Sequence, residues 1–136
     1  METIRLSYFD VIPSPEGILH ARRNSQEYPS LDAVQVGYEE LFSVLDDYRL
    51  KNVSRPALLY DVSAAPRANN DLDFEGVHIR NRTALLGRVV AAAVLVASAV
   101  GQIQMRRLGH TPASRFPVFN DEAEARRYLR SVSSTL

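Results

Sequence analysis

The spacing of apolar residues along the chain changes period several times, and each change marks an element. "IRLSYFDVI" (4–12) is rich in β-branched and aromatic residues and predicts one strand. "PSPEG" (13–17) has the prolines and glycine of a turn, and "ILHAR" (18–22) predicts the returning strand of a hairpin. Leu31, Val34, Tyr38, Leu41, Phe42, Leu45 and Tyr48 then recur at three- and four-residue spacing, which predicts an amphipathic helix over 30–51 starting at Pro29 and Ser30. "ALLYDV" (57–62) is too short and too continuously apolar for a helix, and predicts a central strand covered on both faces. A helix over 73–87 follows, with Phe74, Val77 and Leu85 inward, then a buried strand over 88–96 and a helix over 97–109. "RFPVF" (115–119) predicts a last strand, placed at an edge because Pro117 cannot donate to a ladder. "NDEAEARRYLRS" (120–131) closes with Asn120 or Asp121 as cap, acids in its first turn and arginines in its last, as the helix dipole favours.

Strands alternating with helices predict the α/β class: a single domain over 1–136, with an N-terminal hairpin and a mostly parallel sheet of four to five strands packed with about four helices. Open parallel sheets gather ligands and partners at the carboxyl ends of their strands. The candidate site is therefore the end of the 57–62 strand and the loop after it: Asp61, Ser63, Arg67, Asn69, Asn70 and Asp71. Asparagine, aspartate and proline are also ordinary turn formers, and Asp71 can equally be a helix cap.

Composition narrows the chemistry. The 136-residue chain is long enough for a full core without a staple, and it has no cysteine, which excludes disulfides, zinc–thiolate sites and thiol nucleophiles. A formal net charge of +0 gives no global field for nucleic acid or an anionic membrane, so neither is expected as a partner. Only Lys51 among the 16 basic residues is a lysine, a codon bias of GC-rich bacterial genomes. "METIRLSYFD" lacks the apolar region of a secretory signal, and the most apolar run, 89–100, is about twelve residues against roughly twenty needed to span a bilayer. A cytoplasmic location without a transmembrane segment is the expectation. No phosphate-cradling glycine loop and no G-x-S-x-G elbow occurs, so no enzyme and no cofactor is expected. His20, His78 and His110 lie far apart, and Glu75 with His78 makes a lone i, i+3 pair, so no metal is expected. The arginine pairs at 22–23, 106–107 and 126–127 are read as solvated faces or carboxylate partners.

The element order, the "LLYDVS" strand end (58–63), "RVVAAAVLVAS" (88–98) and above all "FPVFNDEAEARRYLRS" (116–131) resemble the divergent branch of the STAS-like superfamily of bacterial anti-sigma-factor antagonists, grouped with CRAL-TRIO lipid-transfer domains. The resemblance covers nearly the whole chain through strand and cap patterns. It implies a non-catalytic regulatory or protein-interaction module. The alternative it implies is a carrier that holds a lipid or other apolar small molecule between sheet and helices. A homodimer is compatible with either. Switching antagonists carry a phosphorylated hydroxyl residue in a D-S-[ST]-G segment soon after the strand end. Here "RANNDLDFEG" (67–76) stands in that place and no hydroxyl residue lies between Ser63 and Thr83. Ser63 is a candidate substitute acceptor, but its place after the strand favours a local bond to the turn backbone.

Overall fold

A computed structural model of the chain describes residues 2–66, 72–99 and 116–133. The predicted hairpin is present: β2 (Phe9–Pro13) runs antiparallel to β3 (Ile18–Arg23) with Phe9 opposite Arg23 and Pro13 opposite Leu19. Gly17 closes its turn at φ +79, a conformation that a side chain would resist. The first strand is shorter than the sequence predicts. Residues 4–12 split into β1 (Ile4–Arg5) and β2, and β1 folds back antiparallel with Ile4 opposite Val11. The bend between them is tied to the helix layer. The Leu6 N–H donates to the Phe9 carbonyl, both the N–H and the hydroxyl of Ser7 donate to Glu40, and the Tyr8 ring packs on Tyr28 at 4.4 Å. Those tertiary partners outcompete continued strand pairing.

α1 (Leu31–Asn52) starts where its cap predicts: the Ser30 hydroxyl accepts from the Ala33 N–H at 3.2 Å. Val34, Gly37, Tyr38, Leu41 and Leu45 form its buried face. The helix ends on Val53 at φ 57, a left-handed conformation in which a β-branched side chain is strained. Val53 is 92 % exposed, so packing gives little in return. Val53→Gly is expected to stabilise the domain by about 1 kcal/mol, read as a higher denaturation midpoint at unchanged m-value. A lower midpoint would contradict the strain argument.

From β3 onward the sheet is parallel. β3 pairs with β4 (Ala57–Asp61), β4 with β5 (Ala91–Leu95), and β5 with β6 (Val118–Phe119), giving the order β1-β2-β3-β4-β5-β6. The two apolar central strands are therefore neighbours in the sheet interior, and β6 with its preceding proline forms the edge. β5 is shorter than expected because Arg88 closes the preceding helix, α2 (Leu72–Leu86), and the Val90 N–H already donates to the Pro56 carbonyl before the ladder begins. The Arg88 N–H donates to the Leu85 carbonyl, and its guanidinium pairs with Asp46 while stacking on Phe42.

Every strand lies beside its neighbour in sequence, so the parallel crossovers all advance in one direction. Right-handed crossovers that never reverse put their helices on one face. Accordingly α1 and α2 share a core with the Leu19, Ala21, Leu58, Tyr60, Ala92 and Val94 phase of the strands. The opposite phase, Ile18, Ala57, Leu59, Ala93 and Leu95, packs on Ala125 and Leu129 of the last helix, α3 (Glu122–Ser133). Asp121 caps α3 by accepting from the Glu124 N–H at 3.1 Å. The α/β class and the mostly parallel sheet hold, with six strands instead of four or five and three helices among the described residues. The helix expected over 97–109 falls mostly outside those residues. No described helix is long and apolar enough to cross a membrane.

Candidate functional site at the carboxyl end of the central strand

Asp61 is the last residue of β4, 3 % exposed, on the sheet face that α3 covers. In the β3–β4 register Arg22 lies opposite Asp61 and His20 opposite Leu59. Pleating turns His20 and Asp61 to the same side, and their side chains meet: His20 Nε2 lies 2.7 Å from Asp61 Oδ2. On the other side of the imidazole, Arg126 Nη2 of α3 reaches His20 Nδ1 at 3.2 Å. Arginine can only donate, so Nδ1 is the acceptor and the ring carries its hydrogen on Nε2, donating it to Asp61. Arg126 is held in turn by Glu122 at 3.0 Å, one helical turn earlier. A chain thus runs from exposed Glu122 through half-buried Arg126 to the buried His20–Asp61 pair, tying the last helix to two strands.

The second oxygen of Asp61 shapes the loop. Oδ1 accepts the Ser63 N–H at 2.9 Å and the Ser63 hydroxyl at 2.5 Å. This is the aspartate-headed turn that such residues favour after a strand. The Ser63 hydroxyl therefore bonds to the Asp61 carboxylate, which corrects the expectation of a local bond to the turn backbone. Burial by itself would raise the Asp61 pKa. The hydrogen bonds from His20 and from the hydroxyl and N–H of Ser63 outweigh it, and the pKa lies below the ordinary aspartate value.

Although serine, histidine and aspartate meet here, the order is wrong for nucleophilic catalysis. That chemistry needs the imidazole between the serine and the carboxylate so that it can take the hydroxyl proton. Here Asp61 stands in the middle, with His20 on one oxygen and Ser63 on the other. Asp61 and Ser63 of the sequence-predicted site come together; Arg67, Asn69, Asn70 and Asp71 lie outside the described residues. His20, Arg126 and Glu122 were not part of that expectation. His20 carried one signal: it occupies the inward phase of an apolar strand, between Leu19 and Ala21, where a polar residue needs a buried partner.

The other face of the sheet carries a second polar cluster. The Tyr38 hydroxyl lies 2.7 Å from His78 Nδ1 and 3.1 Å from the Tyr60 hydroxyl. Burial, then Arg82 and Arg23, press the His78 pKa down to about 4. Burial raises the Tyr60 pKa far above its ordinary value and that of Tyr28 to about 12. His78 is thus committed to a tyrosine, and no group of three or more metal-binding side chains gathers among the described residues. Of the 22–23 pair, read as a solvated face or carboxylate partners, Arg22 faces Asp61 whereas Arg23 is neither: it is 4 % exposed and stacks on Tyr28 at 4.2 Å and on Tyr8 at 5.2 Å.

Fold and site together define an α/β domain with a mostly parallel sheet and a buried histidine–aspartate pair at the end of its central strand. No family model, no curated protein and no solved structure matches the chain.

Proposed function

We propose that this domain is a non-catalytic, STAS-like regulatory or protein-interaction module of the bacterial cytoplasm, which meets a protein partner with the loop that follows Asp61. The observation that carries this reading is the saturation of Asp61. Its carboxylate is occupied by His20 and Ser63 and acts as a strut that sets the loop's departure from the sheet. A group so engaged shapes a surface better than it moves protons. The edge strand followed by an aspartate-capped, acid-first helix also agrees with the family pattern. Among the described side chains of α2 the exposed positions are Asp73, Gly76, Arg80 and Thr83, all small or polar.

The test is recovery of partners from host lysate on wild type and on an Arg67/Asn69/Asn70 triple-alanine variant, each with a melting curve. The expected outcome is loss of a specific partner at unchanged melting temperature. Identical partner sets at equal stability would defeat the reading. An apolar groove of about 210 Å³, lined by Leu86, Val89, Val90, Ala91, Ala92, Tyr128 and Val132, favours the carrier alternative. Its volume falls short of the roughly 300 Å³ at which small-molecule pockets begin, so it suits a compact apolar molecule better than a lipid. Native mass spectrometry of protein from its own host would show such a ligand as an added mass.

A further inference from the structure

Six of the described arginines fall into two groups. Arg22, Arg88, Arg126 and Arg130 each face a carboxylate, namely Asp61, Asp46, Glu122 and Glu16. Arg23 and Arg82, on the α1/α2 face, have no carboxylate within ion-pairing distance among the described residues. Arg23 is satisfied only by neutral oxygens, the carbonyls of Asn24 and Gln26 and the Asn24 amide. Arg82 lies against the Tyr38 and Tyr60 hydroxyls, and its Nε is buried without an acceptor. The two sit along one aromatic row: Arg23 stacks on Tyr28, the Tyr28 ring lies 5.8 Å from His78, and His78 bonds to the Tyr38 hydroxyl that Arg82 lies against.

That cluster has no anion of its own among the described side chains. The Tyr60 phenol stays protonated and His78 is neutral at ordinary pH. A positive charge withdrawn from water costs several kcal/mol unless a partner compensates it. A second donor is also idle: the Tyr28 hydroxyl is buried against α1 beside Gly37 and has no hydrogen-bond partner. Buried polar groups are ordinarily paired, and two unpaired donors in one cationic, aromatic-walled cluster mark a site built for an acceptor.

We propose that the Arg23–Arg82 cluster binds a small oxyanion, a carboxylate or phosphate group, with Arg82 as its principal ligand and the Tyr28 hydroxyl as a second donor. The site lies on the opposite sheet face from Asp61 and is independent of the partner surface proposed above. Guanidinium supplies the planar donor fork that both oxyanions accept, and the surrounding rings exclude water from the contact.

The experiment titrates the full chain with inorganic phosphate, and separately with acetate, against sodium chloride at matched ionic strength. Backbone amide shifts and melting temperature are the two readouts. Expected are saturable shifts concentrated at residues 23, 28, 38, 60, 78 and 82, and a melting temperature raised by about 4 °C at roughly ten times the dissociation constant. Arg82→Gln should weaken the dissociation constant at least about tenfold, as loss of a charged ligand does. Arg130→Gln on the other face should leave it unchanged. If Arg82→Gln does not fold, Tyr28→Phe removes only an unpaired hydroxyl and should fold normally with weaker binding. A response to phosphate alone, or to acetate alone, identifies which oxyanion the site takes. No response beyond chloride to either anion, or shifts centred elsewhere, would overturn the proposal.

Discussion

Asp61→Ala is expected to lower the stability of the domain by about 3–5 kcal/mol, measured by chemical denaturation at neutral pH. The cost comes from what the missing carboxylate leaves behind. His20, 3 % exposed, would keep an Nε2–H with no acceptor, because its other nitrogen is committed to Arg126. Ser63 is exposed and can turn to water, so its share is small. Asp61→Asn should cost less, since a carboxamide oxygen can still accept from one of the two partners. The pH dependence provides an internal control. Because the folded pKa is depressed, the stabilisation by Asp61 is present above the unfolded value near 4 and is lost as pH falls through the lower folded value. Wild type and Asp61→Asn should therefore converge in strong acid. An Asp61→Ala protein within 1 kcal/mol of wild type would show that the buried His20–Asp61 pair contributes little.

The second large effect belongs to His78 and occupies a different pH window. Its folded pKa of about 4 lies below the ordinary histidine value of 6.5, so the unfolded chain binds more protons between those limits. Stability should then fall as pH drops from 6.5 to 4, by about 3 kcal/mol in total. The cause is burial first, and then the facing charges of Arg82 and Arg23, which resist a third cation. His78→Gln can still bond to Tyr38 and does not titrate, so its stability should stay flat across that window. Parallel curves for the two proteins would rule out His78 as the source. Since Asp61 acts only below this range, the two groups separate in one titration.

Local signals carried the elements whose fate was decided locally. The α1 face, the glycine-closed hairpin and the Asp121 cap are each set by residues within one or two turns of each other, so spacing alone exposes them. The break at Leu6–Tyr8 is different. It depends on Glu40 and Tyr28, far along the chain, and a run of β-formers cannot reveal that competition. The same holds for residues 88–90, where an apolar run continues but Arg88 is drawn to Asp46 and Phe42. At the site, Asp61 and Ser63 were visible because a polar pair ends an apolar strand. His20 was invisible because its partnership depends on the parallel register of β3 and β4, which no stretch of sequence states. Tyr38, Tyr60 and His78 each sat at inward positions of their elements, where a polar atom requires a mate. That requirement identifies candidates but not who pairs with whom.

The strictly sequential strand order governs how the chain can assemble. Each strand finds its partner in the segment just made, so pairing closes short loops and can grow outward from the hairpin during synthesis. The α1 and α2 face can be covered as each crossover forms. On the opposite face the described cover is α3, which follows every described strand. Among the described residues, Ile18, Leu59, Ala93 and Leu95, together with the His20–Asp61 pair, are covered by the last helix. The docking of α3 brings Arg126 to His20, and a nascent chain stalled before α3 would lack that cover over the apolar residues of this face.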